Sequence, residues 1–260
     1  MLYLIKIGGS LITDKTKPYT TRPEVIKTIC KEIAELIQHG HRIIIGNGAG
    51  SFGHFSAQKY GTAQGLTNEQ STFGLAQVQY DAVELNHLLV QTFLNNSTPV
   101  FTFAPSSFIQ LENGVAGHVD ISLIQQAMKS QLTPFLYGDV VLDSVRGCGI
   151  LSTDILFEEL GKKLSLANEQ VSVISVGDYD GVLDSENNLI KHISATEDTS
   201  KYWRKSENID VTGGMKTKVE SMQRLVKECG IQSIILNGGV AGRLTAVIEG
   251  KETDATIIGN

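Results

Sequence analysis

Short apolar runs that end on glycines constrain this chain most. Residues Leu2 to Ile7 are apolar at almost every position and pass directly into Gly8-Gly9-Ser10. A run without polar alternation belongs to a strand covered on both faces, as in a parallel sheet flanked by helices. From Pro23 to Gln38 the apolar residues Val25, Ile26, Ile29, Ile33, Leu36 and Ile37 keep helical spacing, with Pro23 near the first turn and Gly40 beyond the end. Residues 42–45 form a second buried strand, followed by a glycine-rich stretch over 46–54 that reads as a loop. Strand, helix and strand make a βαβ unit, so the chain is α/β.

The alternation predicts a helix over 71–94, a strand over 99–103, a helix after Asp120 and a strand over 134–137. Residues 140–142 and 148–151 read as a hairpin at the sheet's edge, inserted before a helix over 153–164. Strands over 171–176 and 231–236, a helix over 216–228 and a last strand over 255–258 complete the pattern. The expected fold is an open, mainly parallel sheet sandwiched by helices, a single domain over 1–260 with a soft division into lobes 1–170 and 171–260. The polar segment 184–210 reads as a long excursion over a ligand site.

Composition narrows the partners. With 22 Lys plus Arg against 28 Asp plus Glu and a formal charge of −6, the chain has no basic stripe for a nucleic acid, although local lysines still suit small anions. The cysteines Cys30, Cys148 and Cys229 are widely spaced, which suits reduced thiols. A charge at Lys6 interrupts the first apolar run too early for a signal segment, and no later run reaches the ~18 residues of a membrane span. The expectation is a cytoplasmic protein with no membrane and no nucleic-acid partner.

Five blocks carry chemistry. In the first, Lys6, Gly8, Gly9 and Ser10 close a strand and Lys15 follows nine residues after Lys6. Glycines let backbone amides approach an anion, and the two lysines would bracket a phosphoryl group; a tight turn with surface lysines is the plainer reading. In the second, Gly48, Ala49, Gly50, Ser51 and Gly53 leave the next strand at the same expected end of the sheet, where parallel sheets bind ligands. Gly48, Gly50 and Gly53 satisfy G-x-G-x-x-G, but the acidic partner of a dinucleotide site is not evident. His54 closes this block and is suited to donate to an oxyanion, or is simply an exposed histidine. In the third, Ser152 or Thr153 caps a helix, and Asp154 either complements its dipole or holds two lysines. In the fourth, Asp178 and Asp180 with Gly181 suit a ribose or the water ligands of Mg²⁺, or else form an Asp-Gly turn. In the fifth, Gly213-Gly214 opens a helix with Lys216 and Lys218 in its first turn, where the dipole disfavours cations unless an anion sits there.

Together, KIGGSLITDK over 6–15, SFGH over 51–54, YGDV over 137–140 and DVTGGM over 210–215 with Lys218 resemble the amino-acid kinase superfamily and, within it, the isopentenyl phosphate kinases. The resemblance implies the amino-acid kinase fold, a homodimer, ATP with Mg²⁺, and phosphoryl transfer to isopentenyl phosphate as the small-molecule acceptor. It implies that Lys6, Lys15 and Lys218 neutralise the transferred group, that Asp154 orients Lys6 and Lys218, and that His54 binds the acceptor phosphate. Amides around Gly48, Ala49, Gly53 and Gly149, with Gly50 and Ser51 beside them, would hold phosphates. Asp178, Tyr179, Asp180, Gly181, Val182, Leu183 and Gly214 would line the nucleotide site with Gly8, Gly9 and Ser10. Lys216 is a further candidate on local chemistry, and Phe73, Val78, Ile150 and Leu151 are candidates for an apolar pocket around the acceptor's tail. The family's His-Gly-Gly-Gly is Asn47-Gly48-Ala49-Gly50 here, and its Ser-Gly-Asp-Asp is Ser152-Thr153-Asp154-Ile155, departures that bear on acceptor identity. The alternatives are a kinase for another small phosphate, phosphonate or carboxylate such as fosfomycin, or a silent nucleotide-binding sensor of the same fold.

Overall fold

The computed structural model describes residues 1–203 and 214–260. The chain begins with β1 (Leu2–Ile7), the short helix α1 (Gly9–Ile12), α2 (Pro23–Gln38), β2 (Arg42–Asn47), α3 (Gly50–Tyr60) and the long α4 (Glu69–Asn95). There follow β3 (Val100–Thr102), β4 (Leu111–Glu112), β5 (Val115–Ala116), α5 (Ser122–Lys129), β6 (Thr133–Tyr137), β7 (Asp139–Asp143), β8 (Gly147–Leu151) and α6 (Thr153–Leu166). The remainder comprises β9 (Val171–Gly177), β10 (Val182–Leu183), β11 (Leu189–Ile190), β12 (His192–Ser194), α7 (Gly214–Cys229), β13 (Ser233–Asn237), α8 (Arg243–Ile248) and β14 (Ala255–Gly259).

An eight-stranded sheet in the order β12-β14-β13-β9-β1-β2-β6-β3 forms the centre. It is parallel except where β13 meets β14. Side-chain alternation along β1 separates two cores. Leu2 and Leu4 pack with Leu156, Phe157 and Leu160 of α6 and Met222 and Leu225 of α7. Ile5 and Ile7 pack with Ile29, Ile33 and Leu36 of α2 and Leu85, Leu89 and Phe93 of α4. The same alternation turns Lys6 onto the α6–α7 face, in register with Gly46 on β2 and Ser175 on β9. That row lies one residue from the carboxyl end of β1, where parallel sheets present their ligand sites. Because β9 pairs with β1 along its whole length, the sheet is continuous across residue 170.

Two expectations are corrected. The hairpin β7–β8 does not sit at the edge of the main sheet but joins β4 and β5 in a separate four-stranded sheet, ordered β5-β4-β7-β8. Asp143 is the reason: its carboxylate accepts from the backbone N–H groups of Asn113, Gly114, Val145 and Arg146, so the turn between β4 and β5 is tied to the hairpin's own turn. Residues 46–54 are also not a loop, since β2 continues to Asn47 and α3 starts at Gly50. The glycines that disguise this helix have a packing role. A Cβ on Gly9 would stand 2.5 Å from the Gly50 nitrogen, so the turns after β1 and β2 interlock backbone against backbone. Of the polar segment 184–210, β11 and β12 lie within the described residues and 204–210 lie outside them.

Candidate active site

Two helices bring the charged groups to the end of β1. Ser152 caps α6 by accepting from the Ile155 N–H at 3.2 Å, which fixes Asp154 in the first turn. The Thr153 hydroxyl donates 2.7 Å to the carbonyl of Asn47, and Gly46 supplies the room, because a Cβ there would come within 2.7 Å of both Thr153 and Phe157. Helix α6 therefore settles directly on β2, and the Asp154 carboxylate pairs with the Lys6 ammonium. From α7, Lys218 donates to the Tyr179 hydroxyl and lies 4.6 Å from the centre of that ring.

The electrostatics agree with this geometry. Burial pushes the Asp154 carboxyl up, but Lys6 and Lys218 outweigh it and hold the group below the ordinary aspartate value. Lys218 is displaced below the ordinary lysine value, chiefly by burial and also by Lys15, against the attraction of Asp154 and Asp178. Lys15 itself is exposed, on the strap between the bridged residues Thr13 and Thr21. Two lysines thus converge on one carboxylate with Lys15 within reach of Lys218, and this positive charge at the end of a sheet suits a polyanionic ligand.

The interlocked turns border the same place. Ser10 donates 2.9 Å to Asp178, joining the first block to the fourth. Ser51 is pinned by the Thr13 hydroxyl at 2.9 Å and itself accepts from the Thr20 N–H at 3.1 Å, so the strap carrying Lys15 is fastened to α3. Gly48, Ala49, Gly50 and Gly53 form the entry to α3, and Gly138 of the YGDV block donates 2.8 Å to the Asn47 carbonyl beside them. His54 is exposed on the second turn of α3. Gly8, Gly9 and Gly177 lie where β1 and β9 end, and Gly214 opens α7.

Several candidates stand apart. Asp180 does not face the lysines; it is held by Arg243 and by Asn237 at 3.2 Å. Gly181 and Val182 turn into the fold, where the Val182 N–H donates to Thr256, while Leu183 is partly exposed on β10. Lys216 lies two residues from Lys218, on the other side of α7, and pairs with Glu220 at 3.9 Å. Val78 forms a small apolar cluster with Val140 and Cys148, against which Ala57 of α3 packs. Ile150, 38% exposed, is in register with Val140 and shares the Cys148 face of β8. Gly149 and Leu151 point to the opposite side, Leu151 into the main core and Gly149 against Leu111, so Leu151 is withdrawn as a pocket residue. Phe73 is 62% exposed on α4, edge-on to Tyr60. Residues 210–213 of the fifth block lie outside the described residues. Sequence reasoning missed the Asn47 carbonyl as the seat of α6 and missed Glu158, whose only signal was its place one turn after Asp154.

Residues 1–237 match the family model for the amino acid kinase family. The chain belongs to the amino acid kinase family. Among curated relatives of this family member, isopentenyl phosphate kinase of Methanothermobacter thermautotrophicus is 32% identical, over 99% of this chain and 98% of the relative. The enzyme of the same name from Methanocaldococcus jannaschii is 29% identical, over 98% and 99%. A structure described as an isopentenyl phosphate kinase superposes with a TM-score of 0.83 at 29% identity, covering 99% of this chain and all of that one. These likenesses place the chain with the isopentenyl phosphate kinases inside the family. Among the described residues, no helix is long and apolar enough to cross a membrane.

Proposed function

We propose that this protein transfers the γ-phosphoryl group of ATP to isopentenyl phosphate, giving isopentenyl diphosphate and ADP. The observation that carries the reading is the convergence of Lys6 and Lys218 on Asp154, within the electrostatic reach of Lys15. A phosphate monoester has its second pKa near ~6, so at neutral pH the acceptor oxygen is already mostly anionic and needs no general base. Bringing two anions together is the main obstacle, and positioned positive charge is what phosphoryl transfer asks of a protein. Lys6, Lys15 and Lys218 meet the developing charge, and Asp154 keeps Lys6 and Lys218 from separating. His54, on α3, takes the acceptor phosphate, and of the tail candidates it is the exposed Ile150, above the buried Val78–Val140–Cys148 cluster, that borders the hydrocarbon tail. Residues 1–170 then serve the acceptor and 171–260 the nucleotide.

Among the described residues no three His, Cys, Asp or Glu side chains gather to cage a metal ion. In this reading Mg²⁺ arrives with ATP as the counterion of its phosphates. We assign the protein to the cytoplasm and to a homodimer. The dimer is supported by the large apolar side chains Tyr80, Leu88 and Leu94 standing out of α4 near Phe101 on the outer strand β3, all at least 40% exposed. Light scattering on the purified protein tests that mass.

The deciding experiment measures ADP release from ATP and Mg²⁺ with isopentenyl phosphate, fosfomycin, N-acetylglutamate and UMP offered separately. Turnover with isopentenyl phosphate is the expected result. Turnover with another acceptor alone would overturn the assignment of substrate.

A further inference from the structure

Behind the lysine cluster lies a narrow recess lined by Lys6, Asp154, Ser175, Lys218, Glu158 and Ser221. Its floor is a buried polar junction between α6 and α7. The Glu158 carboxylate, 8% exposed, accepts from Arg224 through Nε at 3.1 Å and Nη2 at 2.9 Å, from the Ser221 hydroxyl, and from Lys162 at 3.0 Å. Glu158 stands one turn after Asp154 on α6, and Ser221 stands one turn after Lys218 on α7. The junction therefore repeats, one turn deeper, the pairing of helices that the charged site requires.

From this geometry we infer that Glu158 is a positioning residue for phosphoryl transfer: by clamping Ser221 and Arg224 it fixes the axial register of α7 against α6 and so sets the reach of Lys218.

The apolar contacts of α7, through Val219, Met222, Leu225 and Val226, are non-directional and tolerate sliding or rotation. A one-turn slip would displace Lys218 by about 5.4 Å, and a small rotation would turn its ammonium away from Asp154. A two-pronged guanidinium–carboxylate contact with an added hydroxyl donor is directional and permits neither. Glu158 is satisfied by Arg224 and Lys162, so its charge does not draw Lys218 down the recess.

The inference rests on the phosphoryl-transfer reading, and the test separates the two. Glu158→Leu, Glu158→Gln and Arg224→Met are made in the parent and in a Lys218→Met background, with kcat, both KM values and the thermal midpoint recorded. In the parent, Glu158→Leu should lower kcat roughly tenfold to a hundredfold while both KM values stay within about twofold, as expected of misplaced but intact binding groups. Glu158→Gln, which keeps the shape and part of the hydrogen bonding, should recover part of that loss. In the Lys218→Met background, Glu158→Leu should change kcat by less than about twofold, because coupled positions are not additive. Arg224 is half-exposed and Lys162 and Ser221 stay on Glu158 without it, so Arg224→Met, with the thermal midpoint as its check on folding, should show the same dependence on Lys218. An unchanged kcat in the parent, or an equal loss in both backgrounds, overturns the proposal. A parent silent with every acceptor would overturn the phosphoryl-transfer reading and this proposal together.

Discussion

The hydroxyl of Thr153 and the carbonyl of Asn47, 106 positions apart in the chain, are joined at 2.7 Å, and this bond seats the start of α6 on the end of β2. Asp154 is the next residue, so its distance from Lys6 depends on that seat. Thr153→Val keeps the shape and removes the hydroxyl, and because the Asn47 carbonyl still accepts from Gly138 the cost is that of one hydrogen bond, about 0.5–1.5 kcal/mol. Thermal unfolding should register that loss, and kcat should fall about tenfold or more as Asp154 shifts. An unchanged kcat alongside a lowered midpoint would make the bond purely structural.

Lys15 is exposed and its neighbours hold the strap without it, through Thr13, Thr20 and Ser51. Lys15→Ala should leave the unfolding midpoint within about a degree, since exposed substitutions usually change stability by less than ~0.5 kcal/mol. Turnover should nevertheless fall by about a hundredfold or more, the scale seen when a group stabilising transition-state charge is removed. Steady-state kinetics with saturating ATP checks this.

His54→Ala divides acceptor from donor. With His54 serving only the acceptor phosphate, the variant should raise the acceptor KM or lower kcat, while ATP affinity measured by calorimetry stays nearly unchanged. Collapse of ATP binding would reassign the residue to the donor side.

An alkaline limb of activity is expected from Lys218. Burial holds its pKa below the ordinary 10.5, so the cation is lost as pH rises through that lowered value. The pH profile of kcat/KM, which reports the free enzyme, should therefore fall before pH 10.5. Lys218→Arg, whose guanidinium stays charged, should be slower but should lack that limb.

Asp143 gives a stability limb at the other end of the scale. Burial raises its carboxyl, but the four backbone donors outweigh that and bring it to about 2. A depressed carboxylate contributes stability above its unfolded value of 3.8, and that contribution is lost as pH falls toward 2. Asp143→Asn should lower the melting temperature at pH 7, and the gap to the parent should close between pH 4 and 2. A gap independent of pH would remove the charge from the explanation.

The central sheet and its covering helices were legible because β1, β2 and β9 are apolar on both faces and α2 keeps helical spacing. Lys6 and Asp154 were legible as candidates because one breaks an apolar strand and the other follows a helix cap. Helix α3 was hidden by glycines whose purpose is contact with the turn after β1, a long-range reason that local propensity does not carry. The small sheet was hidden because β4 and β5 are two residues each and depend on Asp143 for their place. Lys216 misled for the opposite reason: first-turn lysines suggest an anion, but only helical phase decides which of Lys216 and Lys218 meets it. The Glu158–Arg224 contact joins two helices 66 residues apart and leaves no local pattern.

The six consecutive register pairs between β1 and β9 mean that both halves of the chain are built on one stiff plate. A hinge at residue 170 would have to tear that ladder, so the two halves cannot swing apart as separate bodies without breaking the sheet. Any opening for entry and exit must come from segments that rise off the plate, such as the strap over 14–20, whose loosening would cost a few hydrogen bonds instead of a sheet.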